Sequence, residues 1–348
     1  MSLTTSSKGN ARIEMAAHID VHFHALPPAY KAAVAAHGGD PSGFPEPEWS
    51  PEAAVKAMEA LGSSLGIISI TAPGVPITGA GEEGRKLSRE LNIYLGDLSS
   101  HTEGPFSGKF AFFGALPDFN DVEGTIAEID FLFTEQKLAV GVGIYTNYRG
   151  KLPGHPDFKP IWAKLQEHKA LVHLHPTDSE LKPGFIAGFL PQPIVDFPQN
   201  TTRAAVDLVL TGTIRACPDV DIILSHAGGT LPFLGARALA SLHIPPIAAR
   251  AGVTLEQGME DMARFYWDIA LSTSPAQLDG LLHFVQDKSH ILFGSDFPYA
   301  PMPLIMSGQN MYKQFVESSP RAEVLKPEAL KGNALALLNK HTSGRIYK

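Results

Sequence analysis

Eight short apolar runs, each followed by an amphipathic stretch with helix-start signals, in a chain of 348 residues, predict an α/β fold of the closed (β/α)8 TIM-barrel type. The runs are rich in β-branched residues and almost continuously apolar, as strands covered on both faces must be. In order they are AHIDVH (17–22), GIISIT (66–71), FAFFGAL (110–116), AVGVGIY (139–145), ALVHLH (170–175), DIILSH (221–226), FYWDIAL (265–271) and HILFGS (290–295). The first amphipathic stretch opens at Ser50-Pro51-Glu52, an N-cap followed by proline at the first helical position, with Val55, Met58 and Leu61 at helical spacing. Residues 82–100, 121–136, 157–168, 201–217, 231–242, 275–286 and 303–316 supply the others. An open doubly wound sheet is the alternative; a barrel of about 250 residues plus insertions accounts better for eight units in one chain.

Residues 1–15 read as a flexible N-terminal arm and 16–348 as a single barrel with insertions near 37–49 and 178–200. Both insertions follow strands at their C-terminal ends, where active-site loops of such barrels belong. Composition narrows the function. The chain is 44% hydrophobic and 18% charged, which excludes disorder as the dominant state. Its 28 basic and 36 acidic residues leave a net charge of −8 with no dense basic run, against a nucleic-acid partner. No apolar run approaches the roughly 20 residues that span a bilayer. The first stretch carries no apolar segment of secretory length. The lone cysteine, Cys217, allows no internal disulfide, so the expected setting is the reducing cytoplasm.

The ends of the strands carry the chemistry. His22 and His24 lie two apart in DVHFHALPP, so on a strand they share a face and can meet one ion. Pro27-Pro28 marks the strand turning into loop. Alone, the pair reads equally well as two core histidines. The fifth run, however, ends in His175, the sixth in His226, and the eighth leads into Asp296. Ionisable groups buried together are costly unless paired or metal-bound, and four strand ends meet at one rim. The expected centre is one divalent metal, zinc or manganese, bound by His22, His24, His175 and Asp296, with His226 left as an unligated acid or base. The fourth strand ends without a lysine until Lys151, so no carbamylated lysine is available to bridge two ions. His173 and Asp20 are placed a layer below as a core histidine and a structural carboxylate, and Asp268 is read as structural. His101, His155, His168, His243, His283 and His341 are expected to face solvent.

DVHFH, LHPTD, SHAGGTLPF and FGSDFPYAP, in that order over roughly residues 17–340, resemble the amidohydrolase superfamily and its decarboxylase branch, the one typified by aminocarboxymuconate-semialdehyde decarboxylase. EWSPEAAVKAMEALG, TAPGV and FPQNTTRAAVDLVLTG are similar to the 6-methylsalicylate decarboxylase group. The resemblance implies the same four ligands with His226 catalytic. It further implies that Arg237, in HAGGTLPFLGAR, reaches a substrate carboxylate across a homodimer interface. The branch's second, upstream arginine has no counterpart here, since 13–84 contains no arginine, and this points to a substrate with one carboxylate. Arg203 is a further substrate-binding candidate whose other reading is a surface or capping arginine. Phe297, Tyr299 and the Phe-rich insertion around Phe185, Phe189 and Phe197 suggest a flat aromatic ligand, although such residues also build cores.

The implied activity is non-oxidative decarboxylation of an ortho-hydroxybenzoate such as 6-methylsalicylate. The acid chelates the metal, and the ring carbon is protonated by Asp296 with His226 sharing the proton. A mononuclear hydrolase of a lactone or amide is the alternative, because the same ligands can activate water.

Overall fold

The computed structural model describes residues 18–180 and 184–342. The expected N-terminal arm lies outside the described residues. Eight parallel strands follow one another around a single sheet: β1 (His18–Ala25), β2 (Ser63–Ile70), β3 (Phe110–Gly114), β4 (Gly141–Tyr145), β5 (Leu171–His175), β6 (Asp221–Leu224), β7 (Tyr266–Asp268) and β8 (Ile291–Leu292). The ring closes between the β8 end and β1. Val21 N donates to Phe293 O (3.0 Å), Asp296 N to His22 O (2.9 Å) and His24 N to Phe297 O (2.8 Å).

Around it run α1 (Pro28–Ala36), α2 (Pro51–Leu61), α3 (Glu82–Ser99), α4 (Val122–Asp130), α5 (Lys159–Glu167), α6 (Asp196–Leu210) and α7 (Thr213–Ala216). They are followed by α8 (Leu231–Ala240), α9 (Pro245–Ala248), α10 (Leu255–Met262), α11 (Pro275–Phe284), α12 (Met302–Ser318) and α13 (Pro327–His341). Helix starts are chemically marked: Ser50 Oγ accepts from Ala53 N at 3.1 Å, and Thr254 and Ser274 each form a reciprocal capping box. Pro28 begins α1 rather than a loop, because proline lacks only an N–H that the first helical turn leaves unpaired anyway.

Helix α13, which no strand-by-strand reading anticipates, sends Ala334, Leu337 and Leu338 against an apolar layer that includes Ile19, Leu65, Ile67, Phe113, Ile223 and Leu292. This layer draws on strands all around the ring and so fills the barrel interior, with α13 as its plug. Two histidines expected at the surface are drawn inward by carboxylates. The His341 side chain is 2% exposed with Nε2 2.7 Å from Asp221, and His168 pairs with Asp130 at 2.8 Å while stacking on Phe133. Among the described residues no helix is long and apolar enough to cross a membrane.

One irregularity in β1 decides what points where. Asp20 pairs with Gly66 and Phe23 with Ile68, so Val21 and His22 together stand opposite Ile67. Such a bulge reverses the alternation of side chains along a strand. Ile19 and Val21 therefore pack into the interior layer, while beyond the bulge His22 and His24 take over the inward direction. Asp20 is not in a layer beneath the histidines. It lies at the seam of closure, where its Oδ1 accepts from His22 N (3.2 Å) and Ser295 N (3.1 Å), and burial pushes its carboxyl up to about 7.

Candidate metal centre and active site

Four side chains converge at the C-terminal mouth of the barrel. One ligating atom from each of His22, His24, His175 and Asp296 lies within 4.8 Å of all the others, and all four residues are buried. His22 Nε2 is 3.1 Å from His24 Nε2 and 3.3 Å from Asp296 Oδ1, and His24 Nε2 is 3.1 Å from the same oxygen. Donors bound at about 2.1 Å to one ion and separated by 90–110° stand roughly 3.0–3.4 Å apart. The three measured edges fit a single coordination shell.

The opposite nitrogen of each ring is held. His22 Nδ1 donates to Asp268 Oδ2 (3.0 Å), and His175 Nδ1 donates to Pro176 O (2.7 Å). His24 Nδ1 meets Ser69 Oγ at 3.2 Å. These contacts fix ring orientation and leave each Nε2 lone pair for the centre, the usual arrangement around metal-binding imidazoles. Charge argues the same way. Burial lowers the pKa of His24 and of His175, favouring the neutral rings that ligate. Burial would lower His22 as well, but the carboxylates of Asp268 and Asp296 on either side raise it to about 10. Both carboxyls, despite burial, are held well below the usual range by the surrounding imidazoles. With His24 and His175 neutral, the two ionised carboxylates hold a proton on His22 that a bound cation would replace, so this dry site suits a cation.

His226 stands beside this set without joining it. Its Nδ1 donates to Ala270 O at 3.1 Å, its ring centroid is 4.8 Å from that of His22, and burial pushes its pKa down. The backbone here is left-handed, with φ +56° at His226, +54° at Ala227 and +65° at Asp296. Such conformations cost of order 1–3 kcal/mol for non-glycine residues and gather at functional sites. Asp268 Oδ1 offsets this by accepting from His226 N (3.1 Å) and Ala270 N (3.0 Å). Asp268 thus ties the end of β7 to a candidate ligand and to a candidate acid or base.

Above the four donors opens a cavity of about 500 Å3, lined at its base by His175, His226 and Asp296. Tyr299 and Phe197 line it, as does the first insertion through Asp40, Ser42 and Phe44. Other expected residues lie elsewhere. Phe297 stacks on Phe23 (centroids 5.2 Å apart) and belongs to the core, because its neighbour Asp296 turns inward. Arg203 lines a separate cavity of about 550 Å3 with Asn147, Tyr145 and Asp178. Arg237 is exposed in the last turn of α8 and is not among the lining residues, nor are Phe185 and Phe189. Among the described residues, no lysine or arginine lines the cavity above the donors.

Sequence reasoning undervalued Asp268 and did not single out Ser69. The signal for Asp268 was present: a carboxylate inside the seventh apolar run has to meet a polar partner.

The amidohydrolase family profile matches residues 19–340. The chain is 38% identical over 322 residues to the decarboxylase macB of Penicillium terrestre, covering 89% of this chain and 93% of that one. It is 37% identical over 327 residues to the 6-methylsalicylic acid decarboxylase of Penicillium expansum, covering 92% and 96%. Its fold is shared with a dihydroxybenzoic acid decarboxylase of Polaromonas sp., whose crystal structure contains manganese and 2-nitroresorcinol, at a TM-score of 0.75, 19% identity and coverage of 96% and 100%. Profile, relatives and barrel agree: this chain belongs to the amidohydrolase family.

Proposed function

We propose that the protein is a divalent-metal-dependent carboxy-lyase that removes CO2 without oxidation from an ortho-hydroxybenzoate of the 6-methylsalicylate kind. The observation that carries the reading is the meeting of four donor groups and His226 at the floor of an apolar cavity. Supporting it are relatives 37–38% identical over about nine-tenths of the chain that are named decarboxylases. His22, His24, His175 and Asp296 would hold a single ion, zinc or manganese, which would supply Lewis acidity toward the carboxylate and the ortho oxygen. Manganese in the Polaromonas structure supports that metal.

Direct loss of CO2 from an aromatic ring leaves an aryl carbanion, so the carbon bearing the carboxylate must first gain a proton. Asp296 takes up the proton that the ortho-hydroxyl gives up on binding and delivers it to the ring carbon, with His226 sharing it; both line the cavity base and the Ala270 carbonyl holds the His226 ring in place. Protonation interrupts aromaticity. The C–C bond then breaks, its electron pair returns to the ring, and CO2 departs, so one proton enters for each CO2 released. Tyr299 lies over the His24 ring edge, with centroids 6.0 Å apart, and bounds the space for a flat ligand. Hydrolysis of a lactone or amide would use the same donors. The apolar walls and the decarboxylase relatives favour the lyase.

Residues 16–348 act as one domain in a cytoplasmic homodimer, in which Arg237 serves the partner's cavity. Arg237 is exposed on α8 one turn beyond the cavity-lining Phe233, and the cavity has no cation of its own among the described residues. To test the activity, purified protein loaded with manganese or zinc is mixed with 6-methylsalicylate, with release of CO2 and 3-methylphenol as the expected result. Turnover of a lactone or amide without any CO2 release would overturn the reading.

A further inference from the structure

The cavity above the donors is larger than a ring bearing one methyl group requires. At about 500 Å3 it falls among pockets, roughly 300–1,000 Å3, that enclose drug-sized ligands. Its character changes with depth. His175, His226 and Asp296 at the base are 6–8% exposed, whereas Ile194, Phe233, Leu271, Leu304 and Met311 line the same space and are 40–66% exposed. These five side chains come from the loop after β5, from α8, from the segment after β7 and from α12, so the mouth is ringed by apolar groups from separate elements. Large apolar side chains gathered at one exposed place mark a surface in use.

We propose that the preferred acid carries an extended alkyl substituent of about three to five carbons, seated among these rim side chains, in place of a methyl group alone. This rests on the decarboxylase reading, which places the carboxylate and the ortho oxygen at the base and leaves the rest of the ring facing the apolar wall. Each methylene removed from water contributes up to about fourfold in affinity, and roughly twofold where burial is partial. A chain four methylenes longer than methyl therefore gains at least tenfold.

The test is a series of 6-methyl-, 6-propyl- and 6-pentylsalicylate with the manganese-loaded protein, run beside calorimetric binding of 3-methyl- and 3-pentylphenol. Expected are a kcat/KM at least tenfold higher for pentyl than for methyl, a matching gain in phenol affinity, and a roughly fivefold fall in the pentyl-to-methyl ratio in Leu304→Ser and Met311→Ser. Equal or weaker handling of the pentyl compounds, or ratios that both variants leave unmoved, overturns the proposal and leaves the apolar rim to a second copy of the chain. If no acid loses CO2 but the phenol ladder persists and the variants flatten it, the decarboxylase reading fails while the alkyl site stands.

Discussion

The carboxylate of Asp268 reaches Nδ1 of His22 at 3.0 Å, while its other oxygen accepts from the backbone N–H of His226. One side chain from β7 therefore aims a candidate ligand and holds a left-handed turn. Asp268→Asn places an amide N–H against one of these donors. We expect metal affinity to fall by about 10- to 100-fold, read by competition with a chromophoric chelator. Far-UV circular dichroism should show the barrel intact. An affinity within twofold of wild type would remove Asp268 from this role.

His226 lies outside the donor group, so catalysis and metal content should separate there. His226→Asn is expected to lower kcat by about 10^2- to 10^4-fold while elemental analysis still finds one ion per chain. Loss of the ion together with activity would make His226 a ligand instead.

Removal of the metal should abolish CO2 release and return the site to two carboxylates facing each other across His22. Dialysis against a chelator is expected to eliminate turnover, and one equivalent of manganese or zinc to restore it. Full activity in protein shown by elemental analysis to be metal-free would refute the metal-dependent scheme.

At the opposite end of the barrel, Asp221 at the start of β6 accepts from Lys340 Nζ (2.6 Å) and His341 Nε2 (2.7 Å) of α13. Burial pushes this carboxyl up, but the hydrogen bonds from His341 and Lys340 outweigh it and hold it below its ordinary 3.8. A depressed carboxylate stabilises the fold above the ordinary value, and that contribution is lost as pH falls through the folded value. Asp221→Asn should cost about 1–2 kcal/mol near neutral pH, since Lys340 is half exposed and screened. In urea titrations the difference from wild type should shrink below the usual carboxylate range. A difference that stays constant down to pH 3 would show that the pair does not stabilise through charge.

Much of the architecture follows from local pattern. The eight apolar runs coincide with β1–β8 to within a few residues, because an interior strand must be apolar on both faces whatever surrounds it. His175, His226 and Asp296 were legible because a polar group closing an apolar run has few explanations. Helix α13 was not legible, since its burial depends on the far end of the barrel, more than 300 residues away in sequence at Ile19. Arg203 and Phe297 read as pocket residues from their neighbours in sequence, but the direction of a side chain, on helix α6 or after β8, is set by packing, which put them elsewhere.

The sequence by itself determined the strand count, the helix caps and the residue types available at the mouth, all properties of a few neighbouring residues and their affinity for water. Only the tertiary structure decided which of them face one another. In HIDVHFH simple alternation puts Asp20, His22 and His24 on one side, and it is the slip against β2 that turns the barrel floor over to Ile19 and Val21 and its mouth to the two histidines. That slip arises from pairing with another strand about 45 residues away, and no local preference encodes it.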